Sequence, residues 1–189
     1  MATSKNTKIA LGNAMKELMV TMPFSKISIE KITLRCNMNR KSFYYHFRDK
    51  YELVNWIFDT EINTLICNNN CKNAWDFYEV MLNYFYENRT FYRRALKIEG
   101  QNAFSEHFKD VLRLLFAGNR KKVSEDETLN KFYTDFFADA FACSLLRWLL
   151  DKNCLLPKDF LYLFRCSAEK SALEFYNEIN LDILKPLLQ

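Results

Sequence analysis

Glycine and proline are scarce in this chain of 189 residues, which contains three of each. A fold built from strands needs these residues in the tight turns between the strands. The sequence also has no sustained alternation of apolar and polar residues with the period of two that a half-buried strand shows. These absences argue against a sheet-based fold, and they predict an all-α protein with about nine helices.

Histidine is rarer still, since the chain has only His46 and His107. The six cysteines are not grouped with histidines at the spacing of a structural zinc site, so we predict no metal. No combination of nucleophile, base and acid stands out, and no glycine-rich phosphate loop is present. The sequence therefore predicts neither an enzyme nor a bound cofactor.

Long apolar runs are also missing. No stretch reaches the ~18 residues of a membrane-spanning helix, and the polar start of the chain does not have the pattern of a secretory signal. We therefore expect a cytoplasmic protein without a membrane segment. In such a compartment the six cysteines are expected to be reduced thiols that pack as small apolar side chains.

Positive charge is concentrated in the first quarter of the chain. Residues 1–50 contain ten Lys and Arg and three Asp and Glu, which gives that segment +7. Since the whole chain carries +4, the remainder carries −3. A basic segment attached to a mildly acidic body is typical of a protein that binds nucleic acid. The alternative is a solvated face that happens to be basic.

Within the basic segment, two short helices are predicted on either side of a polar turn. Ser28 is a suitable N-cap for a helix that runs to about Cys36. Asn37 follows, and asparagine tolerates the left-handed conformation that a tight turn often requires. Asn39 can cap the next helix, over residues 40–47. The pattern predicts a helix-turn-helix.

The second of these helices has two chemically different faces. Phe43 and Phe47 are four residues apart and are predicted to point into the core. Asp49 is predicted to cap a third helix, with Glu52 three residues on as in a capping box and Lys50 in its first turn. Polar and cationic groups occupy the other faces of the second helix: Arg40, Lys41, Ser42, Tyr44, Tyr45 and His46. A helix of this kind can present its polar face to the DNA major groove.

Here the sequence resembles a known family. The blocks that carry the resemblance are Pro23-Phe24, Ser28-Ile29-Glu30-Lys31-Ile32, Ser42-Phe43-Tyr44-Tyr45-His46-Phe47 and Asp49-Lys50-Tyr51-Glu52-Leu53. They look like the DNA-binding domain of TetR-type transcriptional regulators, over about residues 5–60. The turn departs from the family in having Asn37 where glycine is usual. Within the family, the stretch most resembles regulators of dihydroxyacetone kinase operons.

The predicted DNA contacts divide into two kinds. Arg40 and Lys41 lie at the N-terminal end of the helix, where base edges are usually reached, and Tyr44 can reach a base or a phosphate. Candidates for phosphate contacts are Ser28, Ser42, Tyr45, His46 and Lys50. The resemblance implies backbone contacts at Ser42, Tyr44, His46 and Lys50. Tyr45 has core packing as an equal alternative, and His46 has the alternative of a capped surface histidine.

The resemblance also implies two domains: a three-helix DNA-binding domain at residues 1–50, and a helical domain for dimerisation and effector sensing at residues 51–189. Six further helices are predicted, ending with two long ones over residues 129–152 and about 157–179. The first of that pair carries Phe132, Phe136, Ala140, Cys143 and Arg147. The family pairs these two helices with their symmetry mates, so we expect a homodimer on a palindromic site in double-stranded DNA. The alternative is a fully intramolecular core.

An effector site is the least defined expectation. TetR-type proteins commonly bind a small molecule among the helices of the second domain, and candidates to line such a pocket are Trp75, Tyr78, Phe85, Tyr92, Phe104, His107 and Phe108. The same aromatic residues would equally fill a core. The resemblance to regulators of dihydroxyacetone kinase operons implies a different possibility: the effector is a protein, and the regulator activates transcription with that partner. A further alternative is a helical interaction module whose basic patch binds an acidic partner.

Overall fold

The computed structural model describes residues 2–69, 71–100, 103–118 and 125–174. In these ranges the chain forms nine α-helices and one 3-10 turn, without strands. The helices are α1 (Ala2–Thr21), α2 (Ile29–Arg35), α3 (Arg40–His46), α4 (Lys50–Asn68), α5 (Ala74–Glu87), α6 (Arg89–Ala95), α7 (Phe104–Gly118), α8 (Glu127–Leu150) and α9 (Pro157–Glu174). The all-α prediction is confirmed.

The predicted helix ends differ from the observed ones by a few residues. The sixth helix was expected to reach Ile98 but ends at Ala95. The first long C-terminal helix begins at Glu127, where Asp126 accepts a hydrogen bond from the Thr128 N–H at 2.8 Å. The predicted end of the last helix near residue 179 and the apolar tail at 180–189 lie outside the described residues.

Helix α1 crosses the helix-turn-helix and reaches the body. Its buried side chains are Leu11, Ala14, Met15 and Met19. Leu18 and Met22, which helical spacing also places on this side, are only partly buried. Leu11, Met15 and Met19 are each four residues apart, which is the spacing of one face of an α-helix. The helix α1 packs against α2 and α3 on one side and against α4 and α6 on another.

An aromatic core holds α4 to the helices that follow it. Phe58 of α4 makes edge contacts with Phe104 and Phe108 of α7, at centroid distances of 5.3 and 5.6 Å. Phe85 of α5 stacks on Tyr92 of α6 at 4.0 Å. All five side chains are essentially inaccessible to solvent, so this cluster forms the centre of the body.

Helix α8 is apolar on two faces. One face, which includes Phe141, Leu145 and Leu149, is buried against the rest of the chain. The other face is exposed: Phe132 is 69% and Phe136 52% accessible. Among the described residues, none covers this second apolar face. In the described part of the chain, no helix combines the length and apolarity needed to cross a bilayer.

Candidate nucleic-acid interface

The helix-turn-helix is shaped by local hydrogen bonds that the sequence predicted. Ser28 Oγ accepts from the Lys31 N–H at 3.2 Å and caps α2. Asn37 adopts the left-handed conformation, with φ at 52°. Asn39 Oδ1 accepts from the Ser42 N–H at 2.9 Å and caps α3. The two capping hydrogen bonds and the turn at Asn37 fix where α3 begins and the direction in which it leaves the turn.

Two phenylalanines anchor α3. Phe43 and Phe47 are buried, as predicted, and Phe47 packs edge-on against Trp56 of α4 at 5.6 Å. The ammonium of Lys8 on α1 lies 5.3 Å from the Phe47 ring centroid. The helix is therefore held from α1 and α4, and its opposite face is left free to meet a ligand.

That opposite face carries the predicted DNA contacts. Arg40 and Lys41 are exposed at the N-terminal end of α3. Tyr44 is 51% and Tyr45 82% accessible, so the core-packing alternative for Tyr45 is wrong. Ser42 and His46 are half-buried, and the His46 ring meets the edge of the Tyr45 ring at 4.8 Å. All six groups lie on α3 and are exposed or half-buried, whereas Phe43 is buried.

Lys50 is also close to this surface, but its ammonium has partners within the protein. Nζ donates to the carbonyl oxygens of Phe24 and Ile27 at 2.8 and 2.9 Å, and it lies 4.2 Å from the Phe24 ring centroid. Desolvation lowers the pKa of this ammonium. Since an ammonium has three N–H donors, one is left over for a phosphate. Sequence reasoning missed these partners, because they lie 23 and 26 residues away along the chain.

The first turn of α4 is capped much as predicted. Asp49 Oδ1 accepts from the Glu52 N–H at 2.8 Å. The Glu52 carboxylate reaches back to the Arg48 N–H at 2.6 Å, one residue before the position that a standard capping box uses. This arrangement orients the junction between α3 and α4, from which Lys50 projects.

A polar cluster joins α1, α4, α5 and α6. Lys16 Nζ lies 2.5 Å from Glu61 Oε1, and the Tyr92 hydroxyl donates to the other carboxylate oxygen of Glu61. Burial, and then the charge of Glu61, raise the pKa of Tyr92. Burial of the neighbouring Tyr84, followed by the same charge, raises its pKa as well. No signal in the sequence indicates this cluster, because its members come from four separate helices.

One further polar contact joins α4 and α7. His107 Nε2 lies 2.7 Å from Asp59 Oδ1. The hydrogen bond to Asp59 raises the pKa of His107, against a smaller opposing effect of burial. Arg48 and Glu52 line the groove beside this pair. His107 thus connects the helices instead of lining an interior cavity.

The other candidates for an effector pocket lie mainly in the aromatic core. Phe85, Tyr92, Phe104 and Phe108 pack on one another, as described above. Burial raises the pKa of Tyr78 to about 12, and Trp75 is half-buried beside it at 5.8 Å. In this arrangement the aromatic rings pack on one another at the centre of the body. Among the described residues, no group of three or more potential metal ligands is present.

Comparisons with known proteins agree with this geometry. Residues 13–57 match the family model described as "Bacterial regulatory proteins, tetR family", and residues 72–165 match a model described as "Transcriptional regulator C-terminal region". The chain is 26% identical over 162 residues to the dhaKLM operon transcriptional activator DhaS of Lactococcus lactis, covering 84% of this chain and 87% of that protein.

Solved structures show the same fold. A structure described as the dihydroxyacetone kinase operon activator DhaS superposes with a TM-score of 0.62 at 22% identity, over 85% of this chain and 95% of that one. A TetR transcriptional regulator from Streptococcus agalactiae gives 0.63 at 20% identity, over 86% and 93%. NalD of Pseudomonas aeruginosa, the secondary repressor of the MexAB-OprM multidrug efflux pump, gives 0.56 at 19% identity, over 86% and 93%.

Proposed function

Because this chain belongs to the TetR family of bacterial transcriptional regulators, we propose that it binds a palindromic operator in duplex DNA as a homodimer. Residues 1–50 read the DNA, and residues 51–189 provide the dimer interface and respond to an effector. The protein acts on DNA in the cytoplasm and needs no catalytic step.

The observation that carries this proposal is the exposed face of α3. Arg40, Lys41, Tyr44 and Tyr45 project from a helix that two buried phenylalanines anchor. Arg40 bridges two acceptors on a guanine edge, with Lys41 beside it. Contacts to phosphate set the register of the protein on the duplex. The residues assigned to these contacts are Ser28, Ser42, Tyr44, Tyr45, His46 and Lys50. The +7 charge of residues 1–50 attracts the duplex at long range.

The exposed face of α8 supports the dimer. Leu129, Phe132, Phe136, Cys143 and Leu150 recur at intervals of three, four or seven residues along this face. A stripe with this spacing runs along one side of a helix and suits self-association about a two-fold axis. The same axis relates the two recognition helices, and this is why we expect a palindrome.

A second candidate function is activation that depends on a protein partner. The similarity to an activator of the dhaKLM operon supports it, and so does the burial of Phe85, Tyr92, Phe104 and Phe108 in contact with one another. In either case the effector would act by shifting the dimer between two shapes that differ in the separation of their recognition helices.

The test is a binding selection from a random duplex DNA library with purified protein at near-physiological salt. Recovery of one palindromic motif supports a dimeric operator-binding regulator. If the basic patch instead serves an acidic protein partner, duplex DNA will bind weakly, without a motif and only at low salt. A motif that is recovered only after cell extract is added would support the partner-dependent activator.

A further inference from the structure

Two adjacent arginines on α6 hold the ends of two different long helices. Arg94 Nη1 donates to the carbonyl oxygens of Met19 and Met22 at 2.6 and 2.8 Å. These carbonyls lie at the C-terminal end of α1, where intrahelical donors run out. A guanidinium satisfies them and also complements the negative end of the helix dipole.

Arg93 makes the equivalent contact with α8. Its Nε donates to the carbonyl oxygen of Leu149, and its Nη2 donates to that of Asp151 at 2.9 Å. Asp151 is the C-cap residue of α8. Since successive residues of a helix point about 100° apart, Arg93 and Arg94 can reach in different directions from one short helix.

The helix that carries these arginines is itself held firmly. Phe91, Tyr92 and Ala95 of α6 are buried. Tyr92 also donates to Glu61 of α4, which pairs with Lys16 of α1. A packed side chain of this kind does not move independently of its neighbours. Helix α6 is therefore a rigid bracket between the C-terminal ends of α1 and α8.

The two helices that this bracket joins have different tasks in the proposed function. Helix α1 packs on α2 and α3 and so moves with the recognition helix. Helix α8 carries the face assigned to the dimer interface. The DNA-reading domain is joined covalently to the body through α4. The contact of Arg94 with the C-terminal end of α1 is a second attachment. With both attachments in place, the DNA-reading domain cannot rotate about its connection to α4.

We propose that Arg93 and Arg94 are positioning residues that set the separation of the two recognition helices in the dimer, by fixing α1 relative to α8. This inference rests on the proposed function. Neither arginine needs to touch DNA. Their contribution is to make the dimer selective for one distance between the half-sites of its operator.

The test measures affinity for a series of operators in which the half-site spacing is altered by one or two base pairs. Wild-type protein should lose about tenfold or more in affinity at the altered spacings, because the DNA must then deform to fit. Arg94→Met and Arg93→Met should each reduce this loss to about threefold or less, because a dimer with a looser domain fits several spacings.

Arg89→Met is the matched control. Arg89 also lies on α6, donates to the Tyr86 carbonyl at 3.1 Å and stacks on the Tyr86 ring at 4.9 Å, but these contacts stay between α5 and α6. Its spacing profile should equal that of the wild type. Arg94→Lys, which keeps the cation, should recover part of the discrimination that Arg94→Met loses.

The results separate this inference from the proposed function. If the wild type selects no palindromic site, the proposed function fails. If the wild type discriminates between spacings and Arg94→Met has the same profile, the bracket is wrong and Arg94 only stabilises the fold. If Arg94→Met does not fold by circular dichroism, Arg94→Gln, which keeps one amide donor, decides: a flatter profile supports the bracket and a wild-type profile overturns it.

Discussion

Lys50 shows how one side chain can combine a structural contact with a proposed contact to DNA. A cation in the first turn of a helix is unfavourable next to the helix dipole. Here the carbonyl oxygens of Phe24 and Ile27 stabilise it, and they belong to the connection between α1 and α2. The same ammonium therefore holds the entrance to the helix-turn-helix and keeps one donor for a phosphate.

We predict that Lys50→Ala weakens binding to every DNA sequence about equally and lowers the salt slope by about one. It should also lower the free energy of unfolding by about 1.5–3 kcal/mol, because two charge-assisted hydrogen bonds are lost. Lys41→Ala is the control, since Lys41 is exposed and should affect binding without affecting stability. A loss of stability with an unchanged salt slope would show that Lys50 does not contact DNA.

Arg40 should behave differently from Lys50, because it is assigned to a base edge. Arg40→Ala is expected to cost ~1–3 kcal/mol of discrimination at one base pair in each half-site. The measurement is the affinity for a set of operators with single base-pair substitutions. Preference should vanish at one symmetric pair of positions and persist elsewhere. A uniform loss of affinity for all the operators would show that Arg40 contacts a phosphate and not a base edge.

At the scale of elements, α4 makes polar contacts with several other elements along its length. Its first turn holds the α1–α2 connection through Lys50, its middle meets α7 at the Asp59–His107 pair, and Glu61 meets α1 and α6. The helix runs unbroken from Lys50 to Asn68. The contacts along it were not predictable, because each partner comes from a distant part of the chain.

The Asp59–His107 pair makes the α4–α7 contact dependent on pH. Because the pKa of His107 is raised on folding, its favourable contribution is fully present below the ordinary histidine pKa of about 6.5 and is lost as pH rises through the folded-state value. We expect the stability advantage of wild type over His107→Gln to be larger at low pH and to shrink above neutrality. Arg48, Glu52 and Asp110 are the other charged groups that face this pair or act on it.

The measurement is urea unfolding of both proteins across a pH series, at one protein concentration, since the stability of a dimer depends on concentration. A difference between wild type and His107→Gln that stays constant from acid to alkaline pH would mean that the pair stabilises the contact without titrating.

At the scale of the whole molecule, the exposed face of α8 is the surface that we propose as the dimer interface. We predict that Phe136→Asp converts the dimer to a monomer, raising the dimer dissociation constant by about a hundredfold or more, because a charge would be buried in an apolar interface. Operator affinity should fall with it, since a monomer reaches one half-site. Sedimentation equilibrium over a concentration series would measure both forms.

Leu114→Asp is the control for this prediction. Leu114 is 74% accessible on α7 and does not belong to the exposed stripe of α8, so its replacement should leave the dimer intact. If Phe136→Asp remains dimeric, a different surface must mediate association, and the expectation that the operator is a palindrome would have to be argued from that surface.

The sequence by itself determined what depends on near neighbours in the chain. Ser28, Asn39 and Asp49 cap their helices through bonds that span three residues, and Asn37 takes its conformation from the steric limits of one residue. Short-range patterns of this kind can be read directly, and together with the block around Phe43 to Phe47 they identified the family. The spacing of Phe43 and Phe47 likewise predicted their burial.

Only the tertiary structure decided which of several similar apolar or aromatic patterns is buried and which side chains contact distant parts of the chain. Periodicity could not separate an exposed Tyr45 from a buried Tyr92, or the buried face of α8 from its exposed face. Nor could it show that Arg94 would reach carbonyls 72 and 75 residues away. Those outcomes depend on how the helices pack around one another, and helix packing is set by the whole set of side chains and not by any local segment.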